Sequence, residues 1–231
     1  MHGVDAAKFD ALVKAIVTLD PQPRERRWVS LSLCIADAVW SIGAHYDNVV
    51  VPLVRRLATK FGVEQPTIPM SEPLGPDPLP LAELADLSVE ELISPTNRQN
   101  TSTRGGIRKA DAVLRHIHAF RSHGVGDLGD AIALFGDDER FAAVNADLRK
   151  IPGEGAHAVR RDYLWMLIGQ DDLIKPDRMV LRWFRLHEVT VDPVGARDLI
   201  AALVPAVSAG LECPVTAWEI DHALWNAGRG M

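Results

Sequence analysis

The sequence predicts an all-α fold. Apolar residues recur at helical spacing along nearly the whole chain, and helix start and stop signals bracket those stretches. The few strand-like patches are short and have no hairpin partner nearby. A chain of 231 residues can bury one large core or two smaller helical lobes, and 47% hydrophobic with 24% charged residues is ordinary globular composition.

Leu12, Val13, Ile16 and Val17 mark the first helix face, which breaks at Asp20-Pro21-Gln22-Pro23. A longer apolar segment runs from about Trp28 to Ile42. Val50, Leu53, Val54 and Leu57 mark a third helix that ends near Phe61-Gly62; Val49-Val50-Val51 alone has strand character. The proline-rich stretch 64–80 reads as a long loop, the least compact part of the chain. Ser88-Val89-Glu90-Glu91 has capping-box spacing, so a helix restarts there, with Leu81–Leu87 as a separate turn. The polar loop Ser94–Arg104 leads into a helix bearing Ile107, Val113, Leu114 and Ile117. Further helices are expected at 127–135, 138–148, 156–168, 178–187 and 194–209. Thr216-Ala217-Trp218-Glu219 is a second capping box and opens a last helix through Leu224 and Trp225. The sum is about ten helices, and Val189-Thr190-Val191 is too short to change the class.

No uninterrupted apolar stretch reaches the length of a membrane span, and the N-terminus lacks a signal-peptide pattern. A cytoplasmic protein is expected, without a membrane partner. Two isolated thiols, Cys34 and Cys213, cannot supply the four ligands of an iron–sulfur cluster or a thiolate zinc site. The net charge of −6 argues against a polyanionic partner, but the cations are grouped. Arg98, Arg104, Arg108, Lys109, Arg115 and Arg121 share a stretch whose one acid is Asp111. A second group is Arg149, Lys150, Arg160 and Arg161, and a third Lys175, Arg178, Arg182 and Arg185. The acids gather instead in 82–91 and 127–139, so a basic face on an acidic protein is compatible with this pattern.

The most informative segment is Leu148-Arg149-Lys150-Ile151-Pro152-Gly153-Glu154-Gly155. A helix ends, the chain turns through two glycines, and a new helix begins. Glycine permits positive φ and close backbone approach. Unpaired N–H groups at the start of the second helix favour an anion, and a DNA phosphate suits that position without any base being read. An ordinary helix–turn–helix corner has the same composition. The surroundings extend the pattern: Tyr163-Leu164-Trp165-Met166-Leu167-Ile168-Gly169 follows, then Asp177-Arg178-Met179-Val180-Leu181-Arg182.

From Leu148 to Arg182 the chain resembles the helix-hairpin-helix superfamily of DNA glycosylases, which includes endonuclease III and the adenine glycosylases. Leu31–Tyr46 is more loosely similar to that family's long helix leading into a DNA-probing loop, and Asn97–Phe120 to its cation-bearing helix after a polar loop. The resemblance implies two helical lobes of the DNA-glycosylase type. One spans 30–176, with the hairpin at about 139–168; the other combines 1–29 with 177–231. It places the catalytic carboxylate at Asp177, where it would stabilise an oxocarbenium-like sugar as a base departs and orient or deprotonate water. A helix N-terminus suits the ionised form for that role, although Asp before an apolar run is also a plain helix cap.

Double-stranded DNA is the implied partner of a monomer. It would be gripped by Pro152, Gly153, Gly155, His157, Arg104, Arg108, Lys109, Arg160, Arg161 and Arg178. A target nucleotide would flip into a cleft between the lobes. Ser41, Ile42, Gly43, His45 and Tyr46 form the probing loop, and Trp40 or Trp165 would stack on the base if not used in the core. Gly43 stands where a bulkier probing residue is expected. Family members that also nick DNA carry a lysine shortly after the last hairpin glycine; His157 stands nearest that position, and imidazole cannot form the imine. The implied enzyme is therefore monofunctional. No cofactor is expected, the cluster-bearing branches being excluded, although the hairpin could hold a monovalent cation. A DNA-binding scaffold without the chemistry, or a helical protein without a nucleic-acid role, are the rival readings.

Overall fold

The computed structural model describes residues 4–153 and 159–230. It is all-α apart from one small sheet: twelve α-helices among the described residues, with a π-helical turn and a 3-10 turn. The chain divides into two compact units, Glu25–Gln170 and a second made of Met1–Arg24 with Asp171–Met231.

The contiguous unit begins with strand β1 (Arg26–Trp28), which pairs antiparallel with β2 (Thr67–Pro69), Trp28 opposite Thr67. This hairpin-free sheet lies where the sequence suggested the start of a helix and a loop. Helix α2 (Leu31–Trp40) follows, started by Ser30, whose hydroxyl accepts from the Ser32 amide. All ten residues of α2 are buried, so it forms the axis of the unit, packed by α3 (Val51–Lys60) and α6 (Lys109–Ser122). The strand-like valines fall in the π-helical turn Tyr46–Val50 and the first residue of α3. Asp77 anchors the proline-rich loop, accepting from the Leu31, Leu79 and Leu128 amides.

Helices α4 (Ala82–Ala85) and α5 (Val89–Ile93) are separate, and Ser88 with Glu91 makes the reciprocal capping box. Helix α7 (Leu128–Ala133) runs into the 3-10 turn Leu134–Gly136, followed by α8 (Asp138–Leu148) and α9 (Val159–Ile168). Helix α9 packs on α2. Trp165 fills the gap between helices, edge-on to Phe120 and Phe135, with its ring 4.6 Å from that of Phe141.

The second unit has its own core. Leu12 and Ile16 of α1 (Ala6–Leu19) meet Val180, Trp183 and Phe184 of α10 (Arg178–Leu186), Leu203 and Val207 of α11 (Pro193–Leu211), and Ile220 and Leu224 of α12 (Ala217–Gly230). Thr216 and Glu219 form the expected box at the start of α12, each donating an amide to the other's side chain. By length and composition α11 would qualify for a membrane span. Its Ala196, Leu199, Ile200, Leu203 and Val207 are nonetheless buried in this core, and Arg197 and Asp198 interrupt its apolar run.

Helices α10 and α12 approach each other closely at Gly228. A methyl group at Gly228 would overlap the carbonyl oxygen of Met179. Gly228→Ala must therefore force the two helices apart and is expected to cost about 1–3 kcal/mol in urea unfolding. Unchanged stability would show that the helices separate without cost.

Candidate nucleic-acid interface

The described part of the turn after α8 consists of a helix end and Gly153. After α8 the last turn continues through Arg149 and Lys150, whose amides donate to the Asn145 and Asp147 carbonyls. Ile151 is buried, and Gly153 takes a φ of 107°, a region that L side chains rarely adopt. The space a side chain would need at Gly153 is filled by Thr101. Thr101 is 2% exposed, and its hydroxyl accepts the Ile107 amide at 3.2 Å. Its amide donates to the Ile107 carbonyl, while Arg160, in the first turn of α9, donates to its carbonyl at 3.1 Å. Hairpin and polar loop are thus keyed together at Thr101. Gly155 and His157 lie outside the described residues.

Lys109 corrects the expectation of a phosphate contact. It is 2% exposed, and its ammonium donates to the carbonyls of Trp40 and Ile42 and to the Gln99 side chain at 2.7–3.0 Å. It joins the end of α2, the 41–46 loop and the polar loop. A cation at a helix C-terminus satisfies carbonyls that the helix itself cannot. Burial, and then the charge of Arg160, lower its pKa to about 8. Arg161 is also buried, so neither side chain lies on the surface. Arg104 and Arg108 are exposed, Arg108 donating to Asn100 and the Arg98 carbonyl within its own loop.

The tryptophans of the expected base pocket are core residues. Trp40 is fully buried with its indole N–H on Asn97, and Trp165 donates to Asn145 inside the aromatic cluster. Neither offers a face to a base. In the 41–46 loop, Ser41 donates to the Ala38 carbonyl and Ile42 is half-buried, whereas Gly43 and His45 are exposed. Gly43 has a φ of 62°. Tyr46 turns inward: its hydroxyl donates to Asp37 at 2.9 Å. Asp37 also accepts from the Trp28 indole at 2.8 Å and the Tyr163 hydroxyl at 3.1 Å. Burial and the Asp37 charge raise both tyrosine pKa values well above normal, so the two phenols remain protonated donors. Sequence reasoning missed Asp37 and Thr101. A lone carboxylate within the apolar run of α2 was the available signal for the first; Thr101 had none.

In the other unit Asp177 caps α10, its Oδ1 accepting the Met179 amide at 2.7 Å and the Val180 amide at 3.4 Å. Both bonds fall on one oxygen, which leaves Oδ2 with capacity for a ligand. Asp177 is half-buried, and Arg178 beside it is exposed. Asp221, which the sequence reading did not single out, is buried on α12; burial first, and then the charge of Asp177, push its carboxyl well above the usual range. Among the described residues no group of three or more His, Cys, Asp or Glu is placed to hold a metal ion.

Comparison with known proteins gives one family, described as a Domain of unknown function (DUF8548), whose model matches residues 7–229. No curated protein and no solved structure matches the chain.

Two substitutions test the loop assembly. Gly153→Ala puts a methyl group into Thr101 and strains a positive φ, so about 1–3 kcal/mol of stability is expected to be lost. An unchanged denaturation midpoint would mean that the turn and the loop are not keyed. Lys109→Met leaves three buried oxygens without their donor, at about 3 kcal/mol. Lys109 also carries a pH signature. Between its folded value of about 8 and the ordinary 10.5, the unfolded chain binds a proton that the folded chain has released. The Lys109 contribution to stability therefore rises with pH across that window. Denaturation at pH 7.5 and 9.5 should show the rise in the wild type and its loss in Lys109→Met.

Proposed function

The chain belongs to the DUF8548 family, and we propose that it is a monofunctional base-excision DNA glycosylase acting on double-stranded DNA in the cytoplasm. The observation that carries the reading is the junction at Thr101, where the hairpin turn with Gly153 is keyed to the loop that bears Arg104 and Arg108. A turn of this kind holds phosphate by backbone N–H groups, and exposed arginines beside it add charge without reading sequence. Lys109 and Asp37 hold these loops from beneath, so the grip is preorganised. His45 is the exposed bulky side chain of the 41–46 loop and becomes the residue that fills the gap left by an extruded nucleotide.

The chemistry is assigned to Asp177. As the N-glycosidic bond breaks, its electron pair leaves with the base and positive charge develops on the sugar. A fixed carboxylate stabilises that charge, and water adds its oxygen to the anomeric carbon while giving up a proton. The two amides on Oδ1 fix the carboxylate and leave Oδ2 towards the reacting partner. No lysine is assigned to an imine, so strand cleavage is not part of the reaction.

The test is incubation with duplexes bearing uracil, alkylated, oxidised or mismatched bases, followed by alkaline cleavage. The wild type is expected to release one class of base, and Asp177→Asn to bind that duplex without releasing it. Nicking without alkali would contradict the monofunctional assignment. If both proteins bind and neither releases any base, the second reading holds: a DNA-binding protein of the same fold without catalysis. Arg104→Ala and Arg108→Ala should each weaken binding of all duplexes and lower the salt slope by about one. No binding at low salt would remove both readings.

A further inference from the structure

Helix α10 has two unlike sides. Val180, Trp183 and Phe184 are buried in the second-unit core, whereas Arg178, Arg182 and Arg185 recur at spacings of four and three and so form a row on the opposite side. Arg178 and Arg185 are exposed, and Arg182 is half-buried. Among the described residues none of the three guanidinium groups has an ion pair, a hydrogen bond or a ring contact. Other cations of the same unit are taken. Lys8 pairs with Glu188 at 2.6 Å, Arg24 pairs with Asp171 at 3.2 Å and lies over the Trp218 ring, and Arg229 lies over Trp225. No acid stands within α10. Of the acids that flank it in sequence, Asp177 accepts the helix's own amides and Glu188 is held by Lys8.

We propose that this row is a phosphate-binding face of the second unit, taking the backbone of one strand of double-stranded DNA. This rests on the reading of the chain as a DNA-binding protein and does not need Asp177 to be catalytic. The row does not serve the helix that carries it. Arg178 and Arg182, four residues apart, repel each other, and Arg178 stands in the first turn, where the helix dipole disfavours a cation. The length suits a nucleic-acid strand. Seven residues of helix advance about 10.5 Å, and a DNA strand passes a phosphate about every 3.4 Å along its axis, so the row spans the rise of about three phosphates. A guanidinium meets a phosphate through two parallel N–H bonds, and the contact carries no base preference. On a chain of net charge −6, three uncompensated cations on one helix steer a polyanion to this face. Because Arg178 directly follows Asp177, the backbone held there runs beside the cap of α10.

An anionic membrane is the other extended polyanion, and the same helix argues against it. A helix lying in a membrane interface turns its apolar face to the lipid. The apolar face of α10 is used up in the core, and Leu186, 53% exposed at its last position, is what remains for a lipid surface.

The test is binding of an undamaged duplex by the full chain over a series of salt concentrations. Arg182→Gln combined with Arg185→Gln should lower the salt slope by about two, and the matching pair of lysine substitutions should keep it, since charge carries the contact. Arg185 is exposed, so Arg185→Gln alone leaves the core untouched and should already lower the slope by about one. A slope equal to wild type in the glutamine pair, with Arg104→Ala still lowering it, would show a merely solvated face and overturn the proposal while the DNA-binding reading stands. A slope lost equally in the lysine pair would show a structural effect and overturn it too. So would phosphatidylserine vesicles that bind the wild type and not the glutamine pair, if the duplex slope is the same in both. The undamaged duplex needs no chemistry: if no base is ever released, the glycosylase reading fails and the slope still decides the role of the row. Absence of duplex binding at low salt removes both.

Discussion

A carboxylate inside a wholly buried helix has to be satisfied by neighbours, because leaving it unpaired costs several kcal/mol on general grounds. Asp37 is that carboxylate. It stands in the middle of α2, and it accepts hydrogen bonds from β1, from the π-helical turn and from α9. The demand of one residue thus fixes three segments that are remote in sequence. Trp28 cannot leave the edge of the sheet, Tyr46 cannot swing outward, and α9 cannot slide along α2 without stranding an oxygen. The position of the hairpin's second helix is a consequence of this one charge.

Lys109 does the same at the other end of α2. The helix closes with carbonyls that have no internal partner, and a buried ammonium takes two of them while holding Gln99 of the neighbouring loop. A negative group in mid-helix and a positive group at its C-terminus therefore hold the 41–46 loop, the start of the polar loop and α9 against α2. Loops already held in place lose little entropy when a ligand binds them.

The long elements were legible because helix periodicity is a local signal: α1, α3, α6, α8, α11 and α12 stand close to where the apolar spacing put them. The sheet was not legible. Arg26–Trp28 and Thr67–Pro69 are three residues each, and only their distant pairing makes them strands. Basic residues misled for a related reason. Lys109 and Arg161 sit among arginines that do face solvent, and sequence neighbours do not tell which side chain turns inward. Trp40 and Trp165 carried two readings, and their indole bonds to Asn97 and Asn145 decide for the core. Asp37 and Asp221 share a sign that was present all along: a single acid at a position where the apolar spacing calls for a hydrophobe.

The second unit is assembled from both ends of the chain, and this sets an order of events during synthesis. Residues 25–170 are contiguous, and they can close their core while the ribosome still holds the remainder. Helix α1, made first, has no such chance: its partners α11 and α12 emerge last. Until then Leu12 and Ile16 present their apolar face to the cell, and the loop to be closed is nearly the full length of the chain. The unit that carries Asp177 is thus the last to form, and the nascent protein holds the core of residues 25–170 before it holds the cap of α10.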